Sequence, residues 1–157
     1  MIEVFPIIKI PKSRNWQYFL LFLFVDHILG TVATGILGYF DNEFGTLSLF
    51  DDEMPIILIF LGLVVIAPMF ETIVFQFFLL ELLLKIKASA SVDIIISTII
   101  FSLFHYYSIT YILYIISAGW ILSYYYIALR HQVKYSKILL VILLHAFGNL
   151  PVFFEYL

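Results

Sequence analysis

The sequence predicts an all-α membrane protein: one compact bundle of about five transmembrane helices, with its N-terminus in the cytoplasm. Three observations predict it. Hydrophobic residues make up 64% of the 157-residue chain and charged residues only 12%, about half the charged share of a soluble domain. Apolar residues gather in five runs, at about 16–40, 54–84, 91–107, 110–129 and 136–156, each near or above the ~20 residues a helix needs to cross a bilayer. All eight Lys and Arg fall on alternate connections. A closed barrel would need alternating strands with a polar lumen face, and these runs are apolar on every side.

The first run follows Lys9, Lys12 and Arg14 and lacks a small-residue cleavage pattern, so it is expected to remain as an anchor. After it come Asp41, Glu43, Asp51, Asp52 and Glu53. Phe44, Leu47, Leu49 and Phe50, scattered among those acids, suggest a loop resting on the membrane interface. Lys85 and Lys87 follow the second run; Tyr107 to Thr110 makes a tight turn after the short third; Arg130, Lys134 and Lys137 separate the fourth from the fifth. Cytoplasmic loops collect Lys and Arg, which puts the C-terminus outside. No repeat or linker divides residues 1–157, so a single transmembrane domain is expected.

Composition also excludes. Net charge is −3 and there is no Cys, so nucleic-acid binding, a disulfide framework, a zinc–thiolate site and a thiol nucleophile are set aside. Membrane lipid is the one partner that composition dictates.

Ionisable groups at bilayer depth are costly and point to function. Glu71 lies inside the second run, just after Ala67-Pro68, and Pro68 cannot donate to the carbonyl of Val64, so a kink and a freed acceptor are expected there. Counting from the basic ends, Glu71 and His105 lie about 20 Å deep, His145 about 12 Å and Asn149 about 18 Å. Phe101 and His105, and His145 and Asn149, are spaced i, i+4, hence on one helix face. Gly148 permits close approach of a neighbouring helix.

A carboxylate, two imidazoles and an amide suit hydrolysis of an acyl bond: Glu71 takes a proton from water, an imidazole orients that water, and an imidazole with an amide N–H steadies the oxyanion. Glu71, His105 and His145 equally match a two-His, one-carboxylate set for a divalent metal such as zinc. The residues leave both open, with no cofactor needed in the metal-free route.

These segments resemble the CPBP family of intramembrane proteases, the CAAX-processing and bacteriocin-processing enzymes. The family pattern is Glu-Glu-x-x-x-Arg, often after Ala-Pro, then Phe-x-x-x-His, then His-x-x-x-Asn or Asp. Here Glu71 to Gln76, Phe101 to His105 and His145 to Asn149 stand in that order, and the likeness covers about 67–149. It implies an intramembrane endopeptidase of the cell membrane acting on a membrane-associated peptide or protein. By that likeness Glu71 and His105 activate water, and His145 and Asn149 form the oxyanion site.

Two positions depart from the pattern. Thr72 replaces the second Glu and Gln76 the Arg, leaving a neutral i, i+4 pair that is expected to hydrogen-bond in support of the site; Phe101 of the second motif is read as a further supporting residue. The departure motivates a second reading, an inactive family member that binds a peptide or confers immunity. A proton-relaying transporter is disfavoured, since no inverted repeat is visible. Asp26-His27 in the first run matches none of the family's motifs, and an access or supporting role is its lesser reading; Glu81 and Asp93 are read as reaching water at the inner boundary, and Tyr106-Tyr107 and Tyr124 to Tyr126 as lipid-facing or interfacial anchors.

Overall fold

The computed structural model describes residues 4–41, 50, 53–86 and 89–157, with the backbone alone for Lys134. Most of the acidic first loop, 42–49 and 51–52, lies outside the described residues, and so does its expected seat on the interface. The helices are α1 (Asn15–Phe40), α2 (Ile56–Lys85), α3 (Ala90–Leu103), α4 (Ile109–Ala128), α5 (Lys134–Gly148) and α6 (Leu150–Phe154). No strand occurs among the described residues. Four spans are long and apolar enough to cross a membrane: Lys12–Phe40, Ile56–Lys85, Ile109–Ala128 and Tyr135–Phe154. With the shorter α3 between them, the predicted five-helix membrane bundle is what forms.

Local chemistry sets the boundaries. Ser89 Oγ accepts the Val92 N–H at the start of α3, and Ser108 Oγ accepts the Tyr111 N–H at 3.0 Å at the start of α4, filling donors that a helix start leaves open. Pro151 cannot bond back to the carbonyl of Phe147, so the last span breaks at Asn149 into α5 and α6.

The centre is α4, which packs on α1, α2, α3 and α5. Gly119 brings α4 close to α3, because a Cβ there would stand 2.8 Å from the Phe101 ring. Tyr125 and Tyr126 are fully buried in the core beside Phe101, Ile121 and Leu144, so they are not the lipid-facing anchors expected; Tyr106 and Tyr107 are exposed. Sequence placed Tyr124 to Tyr126 outward because a run apolar on all faces carries no periodicity to mark the buried one.

Polar ties fix the bundle at both ends and at mid-depth. Ser123 Oγ donates to Ser97 Oγ at 3.1 Å and Ser97 Oγ to the Phe75 carbonyl at 3.0 Å, joining α4, α3 and α2. At one end Asp41 Oδ2 accepts from Thr110 Oγ1 at 2.6 Å. At the other, Lys137 Nζ and Tyr126 Oη both donate to Glu81 Oε1, at 2.8 and 2.6 Å, and the extended N-terminal stretch of chain seats Ile10 against Ala128 and Gln132. Glu81 meets the expectation of a boundary group at 39% side-chain exposure. Asp93 does not, being fully buried: the N-terminal stretch reaches the first turn of α3 beside it, with the Val4 N–H bonded to Ser91 Oγ at 2.8 Å. Replacing Lys137 with Met keeps the buried stem and removes the ion pair; because Glu81 stays partly hydrated, thermal melts in detergent should show a loss of only about 1 kcal/mol.

Candidate active site

The span α2 is an ordinary helix at its ends but is widened twice. Leu61–Ile66 and Thr72–Leu79 are π-helical, and the single α-helical turn between them, Ala67–Glu71, carries the carboxylate. Such widened turns are uncommon and gather at functional sites. In the first, the Ala67 N–H reaches back five residues to the Gly62 carbonyl. In that register the acceptor that Pro68 cannot fill is the carbonyl of Leu63, one residue before the Val64 expected from α-helical spacing. Asn149 Nδ2 donates to it at 2.9 Å. Asn149 therefore ties α5 to the proline break in α2.

Glu71 Oε2 sits between two imidazoles, 3.5 Å from His105 Nε2 and 3.6 Å from His145 Nε2. Its side chain is 22% exposed and those of the histidines 16% and 7%, so the carboxylate meets the cavity while His145 is buried behind it. His105 lies past the end of α3, not on it: its N–H closes the last turn on the Ser102 carbonyl, and Nδ1 lies 2.9 Å from the carbonyl of Phe101. A carbonyl only accepts, so Nδ1 carries a hydrogen and a neutral His105 turns its Nε2 lone pair toward Glu71. The i, i+4 likeness of Phe101 and His105 thus works through the backbone oxygen and through ring packing, with centroids 4.7 Å apart.

His145 Nδ1 lies 3.4 Å from Thr72 Oγ1. A hydroxyl hydrogen donated there leaves the single ring hydrogen of a neutral His145 on Nε2, aimed at Glu71. The expected Thr72–Gln76 pair does not form: both residues are fully buried, Thr72 faces His145, and the Gln76 amide meets no hydrogen-bond partner among the described residues. The π turn beginning at Thr72 explains the parting, since positions four apart no longer lie one above the other.

A cavity of about 690 Å³ brings together Glu71, Phe101, His105, His145 and Asn149, with Leu63 and Ala67 beside them; Thr72 and Gln76 stand behind its wall. Sequence reasoning gave α1 and α4 minor parts, yet Asp26 and His27 of α1 and Tyr111 and Tyr114 of α4 also line the cavity. The intramembrane position of Asp26 was the one sequence signal for this wall.

Among the described residues no three His, Cys, Asp or Glu groups stand as a preformed metal site; Glu71, His105 and His145 are the set that would hold a divalent metal if one binds. The nitrogens approach one shared carboxylate oxygen, an arrangement that suits a water between acceptors and donors.

Residues 53–151, more than half of the chain, match the family described as type II CAAX prenyl endopeptidase Rce1-like. The chain belongs to that family. The match meets the resemblance read from the motifs, and all four of Glu71, His105, His145 and Asn149 fall inside the Rce1-like region, whereas Asp26 precedes it. No curated protein and no solved structure gives a match.

Proposed function

We propose that this Rce1-like protein is an intramembrane endopeptidase that hydrolyses a peptide bond of a membrane-associated peptide or protein. One observation carries the reading: Glu71 Oε2 is flanked by the Nε2 atoms of His105 and His145 on the wall of a cavity inside a membrane bundle. A water seated against Glu71 and His105 finds two acceptors and is held with its oxygen lone pair free. Glu71 takes its proton as the oxygen attacks the scissile carbonyl. His145, with a hydrogen on Nε2, and the amide of Asn149 are the donors for the charge that develops on the carbonyl oxygen. The proton on Glu71 then passes to the leaving amine, so the carboxylate ends the cycle as it began.

The test is cleavage by purified protein in detergent micelles of a quenched-fluorescence peptide library. Wild type should release signal and a folded His145→Ala variant should not; equal signal from the two would refute this site.

Binding without cleavage is the second reading, favoured by Gln76, which stands buried and without a hydrogen-bond partner among the described residues where the CPBP pattern has Arg. In that case cells carrying Glu71→Gln keep the protein's biological effect.

A further inference from the structure

The cavity around Glu71 differs at its two ends. Its floor is apolar and buried, made by Phe101, Leu122 and Leu144. Its rim carries exposed Tyr107, in the α3–α4 connection, and exposed Glu155, after α6. Lys12, Arg14, Lys85, Arg130 and Lys137 all lie at the opposite end, before α1, at the end of α2, after α4 and at the start of α5. Lys and Arg collect on the cytoplasmic side, which turns the rim to the other face of the membrane.

The formal charge of the wall is negative, although His27, His105 and His145 also line it. Asp26, Glu71 and Glu155 line it, and among the described residues no Lys or Arg does. Asp26 reaches inward because Gly148 has no side chain: a Cβ on Gly148 would stand 2.8 Å from Asp26 Oδ2, beside the turn that carries His145 and Asn149. Three tyrosines also line the wall, Tyr107 edge-on to Tyr111 at 5.3 Å between centroids and Tyr114 tilted against Tyr111 at 6.1 Å. Carboxylates and aromatic faces in a space shielded from water attract cations. A peptide's terminal carboxylate would meet three carboxyl groups and no Lys or Arg from the described wall.

We propose that the cavity takes an internal stretch of peptide bearing Lys or Arg, presented from the extracytoplasmic face, with Asp26 as the residue that positions the cationic side chain. This rests on the peptidase reading for its outcome but not for its test. The chain has no Cys, so single-cysteine variants report sidedness directly: in intact spheroplasts a membrane-impermeant maleimide should label Glu155→Cys and should reach Lys85→Cys only after lysis. The reverse pattern overturns the sidedness.

For charge, the Glu71→Gln variant in detergent is titrated with a fluorescent ten-residue peptide carrying two lysines and with the same peptide carrying two glutamates. At low salt the lysine peptide should bind roughly tenfold more tightly. Adding Asp26→Asn should bring that ratio toward one, and Gly148→Ala, which displaces the Asp26 carboxylate without removing it, should do so in part. Equal binding of the two peptides overturns the charge selectivity, and a ratio unchanged in both folded variants overturns the role of Asp26. A protein that labels and binds as expected but cuts no peptide refutes the peptidase reading alone.

Discussion

Glu71→Gln should lower peptide cleavage by about 10²–10⁴-fold and leave the melting temperature in detergent nearly unchanged. The substitution preserves size and shape, so the helix turn Ala67–Glu71 and its packing remain. What disappears is the acceptor that takes the water's proton. His105 replaces it poorly: with Nδ1 held by the Phe101 carbonyl at 2.9 Å, its Nε2 lone pair is the one base left and must both orient the water and take its proton. The introduced amide would also offer a hydrogen to one of the two Nε2 atoms that face Glu71 at 3.5 and 3.6 Å, locking the site closed to water. Turnover and thermal melts measured on the same sample decide the matter. A large fall in stability with turnover retained would make Glu71 a structural carboxylate between helices.

Asn149→Ala should cost about 1–3 kcal/mol of stability, the penalty for leaving a buried acceptor unpaired, because it strips the Leu63 carbonyl of the side-chain donor that now stands at 2.9 Å. Pro68→Ala supplies the missing backbone N–H in the same widened turn. The double variant should therefore lose less stability than the two single losses added together, with a coupling of at least about 0.5 kcal/mol. Activity should not follow stability. The carboxamide has two N–H hydrogens; one holds the Leu63 carbonyl and the other is left for the cavity, so Pro68→Ala repairs the helix without repairing the oxyanion site. Strict additivity in the melts would show that Asn149 does not act through the proline break.

The bundle and the members of the site were legible for different reasons. Runs of about twenty apolar residues give the number of helices and their order along the chain, since bilayer thickness acts on length along the chain. Glu71, His105, His145 and Asn149 stood out because ionisable and amide groups at that depth are expensive. What sequence could not give was rotation about each helix axis. Tyr125 and Tyr126 point inward and Asp93 is sealed from water, yet their neighbours are apolar on every side and mark no face. The two π-helical stretches of α2 each shift the register by a residue, which moves the freed carbonyl from Val64 to Leu63 and turns Thr72 toward His145 and away from Gln76. Nothing in the composition of those stretches besides Pro68 announces the change. The Ser123–Ser97–Phe75 chain of hydrogen bonds was likewise invisible, because small hydroxyls in apolar helices bond locally as often as across.

The brevity of α3 has a physical result for the surrounding lipid. Its 14 residues rise only about 21 Å, well short of a hydrocarbon layer of about 30 Å, and it ends just before His105. Lipid tails beside it must shorten or tilt to match, at a fraction of a kcal/mol per ångström. Such an adjustment would draw the headgroup region toward the imidazole and bring water closer to the cavity that Glu71 faces.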